Sequence, residues 1–426
     1  MNSLQRLQPP VFPVEKVTIQ EAKSFRLNNG VPVYLIEAGT EEIMRLEFVF
    51  RAGQVKEYIP LLASSCNLML SEGSQNYSSE ELNRLLDFYG VFFNQSAEKD
   101  CSGIVLFFLN KHIEKVLELS REILFRPVFP QAELNSLMKK RLRWYMVNRE
   151  KVQNLAMDQF FESVFGKSHP YGYQIREQDF ENVTPAILSD FHTKYYTPEN
   201  MTIIISGKLH SKTTDLLNSY FGERGSNKNI TDGPTYTLKG EKSKKIHISK
   251  PGTVQNAIRI GSATINKRHS DYPGLKILDS ILGGYFGSRL MKNIREKKGL
   301  TYGISSTISS LDLSGYKVIS TEVGQKNCQR VIDEIYKEIK LLQNVRVKNT
   351  ELAVVRNYMS GEMLRMFDGP FALAESFKSA WEFGLDNNYY FRLAEKIKTI
   401  EADEIIELAR TYYNIDALYE ITVGSE

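Results

Sequence analysis

His112, His169, His192, His210, His247 and His269 are all the imidazoles this chain has for metal binding or proton transfer, and no two lie within fifteen residues of each other. Zinc seated on a helix needs two imidazoles one turn apart on one face, so no such pair can form. Each lone histidine reads as a surface or packing residue. Cys66, Cys101 and Cys328 are odd in number, widely separated and without a CxxC pair, which argues against a metal clip and for small apolar packing groups. No GxSxG elbow marks an activated serine. Gly283-Gly284-Tyr285-Phe286-Gly287 invites a phosphate-loop reading, but no GK[ST] follows and a helical pattern precedes it. Its glycines read first as a tight turn or close backbone approach, and only second as a contact with substrate.

The elements that must carry any such groups are written twice. The stretch Phe191–Gly207 reads FHTKYYTPENMTIIISG, a helix end with Tyr195 and Tyr196 followed by a β-rich run into glycine. The chain closes on LARTYYNIDALYEITVG, in which Tyr412 and Tyr413 stand 217 positions after the first pair and Gly424 follows as Gly207 does. Upstream, strand 103–109 and helix 111–123 match strand 315–323 and helix 326–342. Strand 44–52 and helix 58–70 match 255–260 and 271–282, and long helical stretches over 130–165 and 348–383 fill the same slot. Asn29-Gly30 between two strand-like runs predicts a hairpin, and Ser78 with Glu81 a capping box. The sequence thus predicts an α+β protein of two homologous domains, 1–221 and 246–426. The segment 222–245, rich in Gly, Ser, Asn, Asp and Lys, is the expected exposed hinge.

Composition fits a soluble, globular chain: of 426 residues, 42% are hydrophobic and 25% charged. Lys and Arg exceed Asp and Glu only by 54 to 51, too little for a nucleic-acid partner. The N-terminal stretch 1–17 mixes three prolines with charges, and no apolar run reaches membrane-spanning length, so a cytoplasmic chain without a membrane span is expected.

The most specific text is LGGYFGSRLMKNIREKKGLTYGISS, Leu282–Ser306, which closely resembles the C-terminal homologous domain of pitrilysin/insulinase-type (M16, M16B-like) peptidases. FRAG at Phe50–Gly53, SEGS at Ser71–Ser74, HPYG at His169–Gly172 and YYTPENM follow in family order, so the resemblance covers nearly the full length. It implies the LuxS/MPP-like metallohydrolase fold, two α/β rolls of antiparallel-rich sheets flanked by helices. It also implies where zinc would sit: on a helix through HxxEH, with a distal Glu roughly 75 residues later. Counted back from Ser71-Glu72-Gly73-Ser74, the five motif positions hold Ser64, Ser65, Cys66, Asn67 and Leu68. The distal ligand position, counted back from HPYG, falls near Arg143 or Trp144. No zinc ligand and no catalytic Glu remain, so no metal or cofactor is expected in this chain.

The opposite half of such a site is kept. Arg295 and Tyr302 fall on the Arg and Tyr that the family's C-terminal domain contributes, at the same seven-residue spacing. A fixed guanidinium and a phenol can hold a substrate carbonyl and stabilise the charge that develops as hydroxide adds. Lys297 and Lys298 read as a solvated helix end that complements the dipole. The resemblance therefore implies the zinc-free subunit of a heterodimeric metallopeptidase whose HxxEH-bearing partner brings the zinc. Peptide is the implied substrate, with a homodimer open to the isolated chain. The alternative is a catalytically inactive structural or peptide-binding homologue, comparable to the core subunits of respiratory complexes.

Overall fold

The computed structural model of the protein describes residues 19–223 and 236–425; the stretch 1–17 and residues 224–235 of the 222–245 segment lie outside them. Runs of β-branched and aromatic residues supply the strands. The first half gives β1 (Lys23–Arg26), β2 (Pro32–Glu37), β3 (Ile43–Phe50), β4 (Phe92–Ala97), β5 (Ser102–Leu109) and β6 (Met201–Gly207). They order as β1-β2-β6-β3-β5-β4, and β2 with β6 is the one parallel pair. The second half gives β7 (Lys245–Ser249), β8 (Gln255–Thr264), β9 (Thr301–Ser310), β10 (Gly315–Gly324) and β11 (Tyr419–Gly424). Their order is β7-β11-β8-β10-β9, with β7 parallel to β11. Leaving out β1, the two sheets match strand for strand, so the repeated tyrosine pairs mark a repeated topology.

The helices of the first half are α1 (Leu62–Met69), α2 (Ser79–Phe88), α3 (Ile113–Phe125), α4 (Gln131–Arg149), α5 (Val152–Phe165), α6 (Pro185–Tyr195) and α7 (Thr213–Phe221). Those of the second are α8 (Tyr272–Asp279), α9 (Cys328–Asn344), α10 (Asn349–Met366), α11 (Gly369–Trp381), α12 (Asn388–Thr399) and α13 (Ala402–Tyr412). The capping box closes the start of α2 in both directions, Ser78 accepting from the Glu81 N–H while Glu81 accepts from the Ser78 N–H. Gly30, at φ 89°, takes the left-handed turn between β1 and β2. Each long helical stretch is two helices instead of one. The second breaks at Asp368-Gly369-Pro370, where Gly369 adopts φ 86° and the proline cannot continue the preceding helix.

The two halves exchange helices. α5, from the first half, packs on β8 and β11 of the second sheet, where Phe160 and Phe161 meet Tyr316 at 6.3 and 5.1 Å between ring centres. α11, from the second half, packs on β2 and β6, with Phe377 4.7 Å from Tyr34. One hydrophobic cluster joins Ile36, Val49 and Ile204 of the first sheet to Leu373, Ala374 and Ala380 of α11. Another joins Ala156, Phe160 and Val164 of α5 to Ala257, Ile421 and Val423. The sequence predicts two homologous domains joined by a hinge; here each sheet also buries a face against a helix of the other half, which couples the halves.

The α11 exchange is held by charge as well. Arg45 and Glu47 on β3 are each 1% exposed. Arg45 Nη2 donates to Glu47 Oε2 at 2.7 Å and to Glu375 Oε1 on α11 at 2.5 Å, and Lys378 Nζ reaches Glu47 Oε1 at 2.7 Å. Removing one member of a buried ion cluster strands the others in a medium that cannot solvate them. Glu47→Ala is therefore expected to lower unfolding free energy by about 3–5 kcal/mol in a urea titration. Arg346→Ala, which breaks the exposed Arg346–Asp403 pair, should change it little.

Candidate functional site

Arg295 lies in a π-helical turn, Met291–Lys297, that runs into β9 through Gly299, whose φ of 61° suits the reversal. Wide turns of this kind concentrate at functional positions. The neighbours of Arg295 are pinned. Arg289 grips Glu351 of α10 with two parallel bonds of 2.8 and 3.0 Å. Asn293 donates to Glu334 and Glu338 of α9 at 3.0 and 2.8 Å, and Lys298 pairs with Glu334. Lys298 thus serves as a helix-to-helix tie and not only as a solvated end. Arg295 is different: among the described residues its guanidinium has no ion pair or hydrogen bond and rests 4.7 Å above the ring of Phe286, itself 62% exposed.

Tyr302 is the second residue of β9 and is 90% exposed, its hydroxyl free of hydrogen bonds among the described residues. It stands where the β9–β10 register slips between Thr321 and Val323. Such a bulge re-aims a side chain. Thr301 secures the slip, bonding the Thr321 hydroxyl at 2.9 Å and the Glu322 carbonyl at 2.8 Å. A rigid frame thus presents one guanidinium and one phenol with all their donors unspent.

The glycines have different tasks. Gly283 is buried, and a Cβ there would stand 2.6 Å from the Ser306 backbone nitrogen, so it serves close packing of the Ser280–Gly284 turn on β9 and is withdrawn from substrate. Gly287 leaves room for the Tyr285 ring, which stacks on Tyr358 at 4.5 Å. Gly284 is exposed, and a Cβ there would stand 3.3 Å from the Asp279 carbonyl oxygen, tight but far looser than at Gly283. Gly283→Ala is expected to destabilise by about 1–3 kcal/mol in thermal or urea unfolding, and Gly284→Ala far less.

The positions that would hold zinc lie on α1, and their side chains make other bonds. Asn67 is fully buried and donates to the Gly103 carbonyl at 3.1 Å and to the Tyr196 hydroxyl at 3.2 Å. Leu68 is half-buried. Ser64 and Ser65 each accept a bond from one guanidinium, Arg141 of α4, at 2.8 and 2.6 Å. Counting from HPYG predicts Arg143 or Trp144 opposite α1; the residue that reaches it is Arg141, and Trp144 is 70% exposed. The helical period of buried Leu134 and Met138 carries the inward face of α4 to 141 and 142, a signal available in the sequence. Beside this pair, Glu57 accepts from the Ala63 N–H at 2.7 Å and from the Tyr173 hydroxyl.

These geometries stand beside four likenesses. Residues 182–359 match the family model described as Peptidase M16 inactive domain. An uncharacterized zinc protease of Bacillus subtilis, YmxG, is 23% identical over 349 residues, 80% of this chain and 83% of the relative. The likeness is to the M16 peptidase family, carried by residues 182–359 in the family model and by 349 residues in YmxG. A second Bacillus subtilis relative, the probable inactive metalloprotease YmfF, is 21% identical over 71% of this chain and 73% of its own length. The solved peptidase M16 inactive domain from Pseudomonas fluorescens superposes with a TM-score of 0.82 at 21% identity, covering 95% of this chain and 98% of that one, which establishes the M16 fold. Together with the missing HxxEH, these matches support a catalytically inactive M16 member. No helix among the described residues is long and apolar enough to cross a membrane.

Burial pushes the Glu57 carboxyl from 4.5 up to about 7, although Tyr173 and the Ala63 N–H pull the other way. A carboxyl raised in the folded state contributes stability that is complete below its unfolded value and lost as pH rises toward the folded one. Between pH 4.5 and 7 the wild type should lose thermal stability relative to Glu57→Gln, by on the order of a few degrees. Melting curves of both proteins across that window check the sign.

Proposed function

We propose that the protein is the zinc-free subunit of a heterodimeric M16 metallopeptidase, lending Arg295 and Tyr302 to a zinc site carried by an HxxEH-bearing partner chain. The observation that carries this reading is a contrast around the Met291–Lys297 turn: Arg289 and Lys298, which flank it, are tied to carboxylates, while Arg295 within it and the Tyr302 hydroxyl on β9 keep their donors free among the described residues. Free, positioned donors suit a group supplied from outside the chain. Arg295 would hold a substrate carbonyl and Tyr302 would polarise the scissile one as the partner's zinc-bound hydroxide adds. Zinc belongs to the partner in this reading, peptide is the substrate, and the repeat boundary lies in the 222–245 segment. Three unpaired cysteines fit a reducing compartment, so we place the chain in the cytoplasm.

One observation favours the alternative of a structural or peptide-holding homologue. Asn67 and Arg141 direct hydrogen bonds to other groups of the chain at and opposite the degenerate motif positions on α1, which a chain kept for its shape would also do.

Mixing the purified chain with its HxxEH-bearing partner separates the two readings. Peptidase activity is expected only in the mixture, falling about 100-fold or more with Arg295→Ala and to a lesser degree with Tyr302→Phe. Unchanged turnover in both variants would favour the structural homologue, and peptidase activity with stoichiometric zinc in the chain alone would refute both.

A further inference from the structure

Arg141 is a cation drawn partly out of water, and its partners do not neutralise it. Among the described residues no carboxylate lies within ion-pair reach of its guanidinium, whereas Arg45, Arg259 and Arg289 each hold one. Its two bonds go to Ser64 and Ser65. Those hydroxyls in turn donate to the Leu61 carbonyl at 3.2 and 2.5 Å, so their protons are committed and their lone pairs face the guanidinium. Leu61 holds this carbonyl in place with φ 71° and ψ −2°, a left-handed conformation that costs a branched residue about 1 kcal/mol and persists only where the surroundings impose it. Glu57, whose charge Arg141 feels, spends its two oxygens on Ala63 and Tyr173.

A guanidinium has five N–H donors, and two serines do not exhaust them. An oriented cation with no carboxylate in ion-pair reach among the described residues can recruit an anion, and the planar guanidinium matches a carboxylate with two parallel bonds. About one turn further along the same helix, Trp144 is 70% exposed, an apolar flank for the residue that bears the anion. We propose that Arg141, oriented by Ser64 and Ser65, binds a peptide carboxylate, with Trp144 contacting the adjoining side chain. The anchor rests on the peptide-binding reading above but acts in the first half, apart from Arg295 and Tyr302. A C-terminus and an Asp or Glu side chain share the chemistry it selects.

Calorimetric titration of the full chain alone tests the proposal, with three short peptides of one sequence: a free C-terminus, a C-terminal amide, and an amide with one internal Glu. At least one carboxylate-bearing peptide should bind roughly tenfold or more tighter than the neutral amide, and which one does so identifies the source. Arg141→Gln should abolish that preference while leaving the amide's affinity unchanged, and Arg141→Lys should keep part of it. If Arg141→Gln does not fold, the pair Ser64→Ala with Ser65→Ala, which frees the guanidinium without removing its charge, should weaken the preference several-fold. Arg295→Ala should leave the preference intact, so a failed carboxylate anchor and a failed split active site are separate outcomes. Equal affinity for all three peptides, no binding of any, a preference that survives in Arg141→Gln, or one undiminished in the double serine variant would overturn the proposal.

Discussion

Arg45 and Arg259 occupy corresponding interior strands of the two sheets, and each reaches toward a helix that the other half supplies. Arg45 meets Glu375 of α11 at 2.5 Å, and Arg259 donates to the Gln153 carbonyl of α5 at 3.2 Å while pairing with Glu322 at 2.9 Å. A buried guanidinium tolerates few errors in the placement of its partners, because an unmade bond exposes the full cost of desolvation. The exchange of α5 and α11 therefore fixes how the two sheets sit together, and the apolar clusters on either side of it supply the bulk of the burial.

On that frame the repeat has diverged where chemistry matters. After β3 the first half places α1 and a regular, box-capped α2; after β8 the second half places α8 and then two π-helical turns. Wider turns and the Gly299 reversal bring Arg295 and Tyr302 to the surface with open donors. In the first half, α1 turns its serines toward Arg141 and its Asn67 toward Tyr196. One half presents a guanidinium and a phenol with open donors, and the other packs polar groups around a guanidinium.

Much of the fold was legible in the sequence because its signals are local. The Asn29-Gly30 hairpin, the Ser78–Glu81 box and the two tyrosine pairs each depend on residues a few positions apart, and the sheet orders repeat as the text does. Helix exchange was not legible, since α5 and α11 are amphipathic helices whose sequences do not say which sheet they cover. Asp368-Gly369-Pro370 did announce the break between α10 and α11, and the eye reads past it because helical periodicity resumes at once. At the site, Arg295 and Tyr302 were reachable through family text, whereas their lack of partners is a property of packing alone. Arg141 was missed because counting from a distant motif drifts by a residue or two, and only the inward period of α4 corrects it.

The central claim is that this chain completes a zinc site it does not possess, and proximity tests it most directly. With Mn(II) replacing zinc in the HxxEH-bearing partner and a fluorotyrosine placed at position 302, fluorine resonance in the peptide-bound complex reports how near that ring comes to the metal. The account requires the signal to broaden strongly in the complex and to sharpen when diamagnetic zinc is restored. A resonance that stays sharp in a complex shown to be assembled would contradict it.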